Sequence, residues 1–327
     1  MTWVLLSLMY SFSTQSAKIA ATLPPPATMT TLSTIAQSPD GSRTVSDVEF
    51  SLNINGVFYK WDTIGLFMLP GESRSFKVSS SDREGGFDWS ASGGAFSGTG
   101  ERERRFTAPA DPGLYRVKIS RGSHTKRINV LVMIPFRRQT TLNGYPIGGY
   151  ASRSHFTKLS LPQGFIEVTQ ANMNAWISPH FRLKEFACSV PAGFPKYVVL
   201  RERLIRKLEA LIDRVRRAGV RCNDLTVISG YRTPSFNSAN GNVENSVHTY
   251  GGAADIVVDA DGDGAMDDLN HDGKRDVADA IALYNIVDLL EKEQPEFQGG
   301  DGYYASGGPH GAFVHTDIRG ERSRWHN

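Results

Sequence analysis

Cysteine is nearly absent: Cys188 and Cys222 are the only two in 327 residues. Two thiols cannot staple a small scaffold, and they cannot build a cysteine-only zinc site. They either form one bridge or remain two buried thiols; spacing alone does not decide between these. An excess of either charge is missing as well, since 36 Lys and Arg face 34 Asp and Glu for a net charge of +2. No long basic stripe interrupts this balance, which argues against nucleic acid as a partner. Beyond the N-terminus no stretch approaches the roughly 20 apolar residues of a membrane helix, so no membrane span is expected in the mature chain.

The N-terminal run Trp3, Val4, Leu5, Leu6, Leu8, Met9 and Tyr10, followed by small residues to Ala21, is similar to a secretory signal that lacks the basic residue in front. Residues 22–43 are rich in Pro, Ser and Thr and read as a flexible spacer, so 1–43 is a signal-like segment plus spacer. This makes the chain an exported one, destined for the periplasm or cell envelope. Residues 44–136 alternate in short runs, such as Phe50-Leu52-Ile54, Tyr115-Val117-Ile119 and Ile128-Val130-Val132, separated by Pro70-Gly71, Gly93-Gly94 and Pro112-Gly113. That pattern predicts a small antiparallel β-sandwich. Trp89, Phe106-Thr-Ala-Pro109 and Pro112-Gly-Leu-Tyr115 resemble bacterial immunoglobulin-like domains, and no catalytic combination occurs in this half, which leaves it spacing or adhesion.

Residues 137–177 read as an irregular connecting segment, and 178–327 as an α+β domain. Leu204, Leu208, Leu211, Ile212 and Val215 recur at helical steps up to Gly219; Leu225–Ser229 reads as a strand, Val277–Glu293 as a second helix, and Val314–Ile318 as a last strand.

The chemistry concentrates in this half. His248 precedes Asp255 by seven positions with Gly251-Gly252 between them, and a glycine turn of that length can fold imidazole and carboxylate onto one point. Both are good zinc ligands, and a third, His315, stands on the last strand. Asp317 alternates with His315 and shares its face, as an acceptor behind the histidine or a proton acceptor. His124, His155, His180, His271 and His326 are assigned to surface or loop roles.

Ser229-Gly-Tyr231-Arg232-Thr-Pro234, then Ser246-x-His248-x-x-Gly-x-Ala-x-Asp255-Ile, then Val314-His315-x-Asp317, resemble the zinc D-Ala-D-Ala carboxypeptidase and murein endopeptidase family, whose fold is shared with lysostaphin and hedgehog proteins. The resemblance covers about 175–327. It implies catalytic zinc on His248, Asp255 and His315, and peptidoglycan peptide stems as substrate. It also implies Arg232, with Tyr231 and Ser246 beside it, on a substrate carboxylate or carbonyl; the alternative for Arg232 is a pair with a buried Asp. The position where some relatives carry the base is Ala312, so His310 and Asp317 are the candidates for that role. One alternative keeps the zinc without hydrolysis, as a cell-wall binding module, and another is a calcium-dependent adhesin.

Calcium enters through residues 259–279. Asp259, Asp261, Asp263 and Asp267 occupy positions 1, 3, 5 and 9 of an EF-hand-like loop with Gly264 at 6; Asp268, Asn270, Asp272, Asp276 and Asp279 repeat the arrangement with Gly273. Uncompensated, these carboxylates repel one another, and structural calcium on the flank of the zinc site would relieve them.

Overall fold

The computed structural model describes residues 50–81, 86–156, 158–305 and 311–326. The signal-like segment and spacer of 1–43 lie outside these residues. Nine strands come first: β1 (Phe50–Ile54), β2 (Val57–Tyr59), β3 (Thr63–Met68), β4 (Ser73–Ser80), β5 (Asp88–Ala91), β6 (Ala95–Ser97), β7 (Glu103–Thr107), β8 (Gly113–Arg121) and β9 (His124–Val132). They form two sheets, β2-β1-β4-β7-β6 and β3-β9-β8-β5. Inward residues of both share one core, with Leu52, Phe76 and Phe106 of the first against Leu66, Ile119 and Val130 of the second. Pairing is antiparallel except that β3 runs parallel to β9. Phe76 and Phe106, fully buried, fill the centre. Trp89 stands at the edge and donates its Nε1–H to the Glu101 carbonyl (3.1 Å). Tyr115 ties its hydroxyl to the Asp111 carbonyl (3.1 Å), fixing the entry to β8.

The second sheet is covered on its other face too. Phe67 and Leu131 point away from the sandwich into the core of the C-terminal half, where they meet residues such as Leu200 and Leu204. Gly65 lies so close to Ile177 that a Cβ would come within 2.8 Å of its carbonyl oxygen, and its N–H donates there (2.7 Å). Glu202 accepts from the Phe67 amide (2.8 Å) and from Arg74 (2.7 Å), which also binds Glu72. Arg43–Asn327 accordingly make one compact unit.

Residues 137–177 are more ordered than their composition suggests. After β10 (Ile134–Pro135) they supply β11 (Thr141–Leu142), β12 (Tyr145–Pro146) and β13 (Gly164–Val168). The last of these pairs with β10 and with β14 (Lys196–Val198), so the connecting segment stitches the halves together. Two-residue strands show no alternation, which is why the sequence pattern reads as loop.

The C-terminal sheet has the order β15-β16-β18-β17-β19, from β15 (Leu225–Ser229), β16 (Ala253–Val258), β17 (Gly300–Tyr304), β18 (Phe313–Asp317) and β19 (Ser323–His326). Helix α1 (Glu202–Arg217) buries Leu204, Leu208, Leu211, Ile212 and Val215 and ends two residues before Gly219, whose φ of +86° suits a helix stop. Short α2 (Pro234–Ala239) is capped by Thr233. Helix α3 (Val277–Glu293) starts on a capping box of Asp276 and Asp279. Between the helices and the sheet lies a buried charge cluster: Lys207 donates to Glu291 (2.5 Å) and to the Asp317 carbonyl (2.7 Å), and Arg324 joins Glu291 and Asp301. Fully buried, Lys207 ties both helices to the strand that carries His315.

Candidate metal centre

Three elements bring the centre together. Val247–Tyr250 form a single 3-10 turn that stops at Gly251, where φ is +67° and a Cβ would strike the Val199 carbonyl at 2.3 Å. Only glycine satisfies both conditions. The chain reverses there and enters β16 two residues later, so the seven-residue spacing closes on itself. Asp255 and His315 are then direct register partners across β16 and β18 and project from one face.

The ligand atoms converge. His248 Nε2 lies 3.2 Å from Asp255 Oδ1 and 3.1 Å from His315 Nδ1, and His315 Nδ1 lies 2.9 Å from Asp255 Oδ1. The outer nitrogens are committed elsewhere: His248 Nδ1 donates to the Gly230 carbonyl (2.6 Å) and His315 Nε2 to Asp317 Oδ2 (3.2 Å). In the neutral tautomers so fixed, each inner nitrogen carries a lone pair, as does the carboxylate oxygen. Three acceptors this close repel unless a cation or proton stands among them. A tetrahedral site with bonds of about 2.0–2.1 Å has ligand–ligand edges of roughly 3.3 Å, so the triangle fits zinc with a small expansion.

Electrostatics agree with that donor set. Burial pushes the His248 imidazole below its usual pKa, which keeps it neutral. Burial opposes the charge on Asp255, yet His248 and His315 outweigh it and hold the carboxyl well below the ordinary range. Burial also disfavours a charged His315, but its hydrogen bonds to Asp255 and Asp317 raise it to about 9. The chain alone thus draws a proton to the spot where the lone pairs meet.

Asp317 stands behind His315. It is fully buried, and its oxygens accept from His315, the Gly300 amide (2.8 Å) and Arg319 (2.6 Å). Saturated and closed off, it orients the histidine, and its position does not suit a proton acceptor in the cleft. His310, the other candidate base, lies outside the described residues. Arg232 reaches the cleft and pairs through Nη2 with Asp255 Oδ2, while Nε donates to Ser229 Oγ (2.8 Å). The buried-Asp pairing considered for it is therefore present, with Nη1 uncommitted among the described residues. Ser246 lines the cleft. Tyr231 does not: it is 1% exposed, and its hydroxyl meets that of Tyr150 (2.9 Å).

The cleft measures about 600 Å³. Its far wall was not foreseen: Tyr304 and Phe313 stack with ring centroids 4.6 Å apart, and Trp325 leans on His315 at 5.2 Å and donates to the Tyr304 hydroxyl (2.8 Å). Gly302 makes this possible, because a Cβ there would sit 2.2 Å from Trp325 Nε1. The parallel pairing of β19 with β17 brings Trp325 opposite Gly302. In the sequence this wall's only signal is a tryptophan ten residues after His315.

In the acidic segment, Gly264 and Gly273 take the left-handed conformation expected of each sixth position. Asp259, Asp261 and Asp267 gather. The repulsion that called for calcium is met by Arg275, which binds Asp261 (2.6 Å), Asp263 and Asp267 (3.3 Å). Asp268, Asn270 and Asp272 accept from loop amides. Asp279 is fully buried and accepts from the amides of Leu269 (2.7 Å) and Asp276 (2.8 Å), which withdraws the twelfth-position ligand.

Residues 179–274 match the family model described as Peptidase M15, which supports a metallopeptidase. The match spans His248 and Asp255 and ends before His315, which the sheet supplies. No curated protein matches the chain. Among solved structures, the Yersinia pseudotuberculosis adhesin InvE is similar over 30% of this chain and 30% of its own, at 10% identity and a TM-score of 0.19. An S-layer protein is similar over 33% of this chain and 20% of its own (15% identity, TM-score 0.19). An LD transpeptidase in complex with imipenem is similar over 33% and 57% (12% identity, TM-score 0.18). Likenesses this slight carry no argument about fold or function. Among the described residues no helix is long and apolar enough to cross a membrane.

Proposed function

We propose that this chain is an exported zinc metallopeptidase that hydrolyses peptide cross-links or terminal D-amino acids of bacterial peptidoglycan. The observation that carries this reading is the convergence of three lone pairs, on His248 Nε2, Asp255 Oδ1 and His315 Nδ1, with each imidazole fixed by an acceptor behind it. Zinc held there supplies Lewis acidity, polarising a scissile carbonyl and lowering the pKa of water. The chain's own residues do the rest. Gly230 and Asp317 hold the outer protons of the two histidines and so keep the inner nitrogens free. Arg232, at the cleft with Nη1 uncommitted, orients a substrate carboxylate or carbonyl. His310, five positions before His315, is the proposed base. Tyr304, Phe313 and Trp325 give the cleft an aromatic surface on which a substrate can pack. Residues 44–136 are read as an immunoglobulin-like module that positions the enzyme on the wall, supported by the two-sheet core and the Tyr115 hydroxyl tie.

Purified sacculi incubated with the protein should release D-alanine or cleaved muropeptides, and a chelator should stop the release until zinc is restored. Turnover insensitive to the chelator sinks the zinc mechanism. His248→Ala should lose both stoichiometric zinc and turnover. Zinc retained at one per chain in that variant would overturn the ligand assignment, and zinc bound by the wild type without turnover would leave a wall-binding module.

A further inference from the structure

The outer face of the sheet β3-β9-β8-β5 is divided. One end, with Phe67 and Leu131, is buried under the C-terminal half. The other end carries Arg116, Lys118 and Arg127, all exposed. Lys118 is the direct cross-strand partner of Arg127, and Arg116 follows two residues along on the same face. Like charges placed opposite each other across an antiparallel pair destabilise a sheet. Among the described residues no carboxylate forms an ion pair with any of the three, and Asp88, the acid that β5 adds to this face, is registered with Ser120 further along. These three cations line a groove of about 520 Å³. Trp176 of the connecting segment also lines it; its carbonyl accepts from Asn129 on β9 (2.8 Å), and Arg182 stands over its ring at 4.2 Å. Ser90 and Thr63 add hydroxyls to the lining.

The strip places like charges opposite each other beside an indole, in a groove between the sandwich and the connecting segment, with no ion-paired acid among the described residues to offset them. We propose that this groove binds the carboxylate-bearing peptide stems of peptidoglycan, holding the polymer while the metal cleft works on another part of it. The choice of polymer rests on the function proposed above; the anionic character of the ligand rests on the groove alone. Guanidinium and ammonium groups suit carboxylates, and the indole offers a flat apolar surface to the aliphatic parts of a stem.

The test is co-sedimentation of the full chain with purified sacculi at low and high salt. The double variant Lys118→Ser, Arg127→Ser should bind about tenfold more weakly at low salt. Its melting midpoint should hold or rise, because a repulsive pair has been removed, and the charge-conserving Lys118→Arg, Arg127→Lys variant should bind like wild type. Glycan strands stripped of their stems should bind poorly. Undiminished binding by the double variant overturns the proposal, as does equal loss in the charge-conserving one, and stripped strands binding as well as sacculi would overturn the stem assignment. His248→Ala should sediment like wild type, so a failure of hydrolysis and a failure of this groove are read separately.

Discussion

His315 is gripped between two carboxylates, and the two do different work. Asp255 faces the same point as the imidazole's inner nitrogen, whereas Asp317 accepts from the outer one and is itself pinned by Arg319 and the Gly300 amide. Replacing Asp317 with Asn keeps the volume but removes the charge that orients the ring. Zinc affinity should fall about 10–100-fold, as for other partners behind metal-ligating histidines; isothermal titration of the metal-free variant checks this, and an unchanged affinity would make Asp317 a mere packing group. Glu185, which is not one of the three converging residues, offers a second residue-scale test. Burial, above all, raises its carboxyl to about 7 from an ordinary value of 4.5. A folded-state pKa above the unfolded one means that the neutral form's contribution is fully present below about 4.5 and is lost as pH rises through about 7. Glu185→Gln should therefore match wild type at low pH and melt higher than wild type above neutrality. A difference in midpoint that does not change with pH would refute the shift. The convergence of His248, Asp255 and His315 was legible because each sits in a motif with its own glycine or alternation signal. Asp317 was legible as a neighbour of His315 but not as a closed-off one, since saturation by Arg319 and Gly300 depends on how β17 and β18 align.

At the scale of elements, strand β17 is the least conspicuous and the most consequential. Its glycines contribute space: Gly300 lies under Arg319 and Gly302 under Trp325, so the two side chains that brace Asp317 and His315 cross the strand with no side chain of its own in their path. Gly302→Ala must move the indole, which costs it the Tyr304 hydroxyl and its contact with His315. A destabilisation of about 1–3 kcal/mol is expected from the overpacking, together with weaker zinc binding; thermal melting and metal titration measure the two. A variant that melts and binds like wild type would show that β17 does not set the indole's place. Helices α1 and α3 and strands β15 and β18 were readable from their periodicity, and their bounds fall within a few residues of the pattern. The aromatic wall was not readable, because Tyr304, Phe313 and Trp325 come from three strands whose order, β18-β17-β19, no local pattern encodes.

For the whole molecule, the decisive arrangement is that one sheet serves two cores. The end of β9 and the residue after it run Val130-Leu131-Val132-Met133 without a polar interruption, and that uninterrupted run is the sequence trace of a strand covered on both faces. It reads equally as a sandwich interior, which is why two separate domains were expected. Glu202 makes the junction specific. As the first residue of α1 it complements the helix N-terminus, and its carboxylate also receives the Phe67 amide and Arg74 in a setting where the two side chains are only 15% and 22% exposed. Glu202→Ala removes one of the two carboxylates on Arg74, which keeps Glu72, and leaves the Phe67 amide without its acceptor, so a loss of about 1–3 kcal/mol is expected. Arg74→Ala should cost less in the Glu202→Ala background than in the wild type, by the part of its bonding that goes to Glu202, and the double-mutant cycle measures that coupling. Calorimetry should show one transition in the wild type and a broadened or divided one in Glu202→Ala, since the sandwich has its own core and the C-terminal half has another. Additive single losses with one sharp transition throughout would mean that the apolar contacts of Phe67 and Leu131 alone couple the halves, and that the ion pair is incidental to the junction.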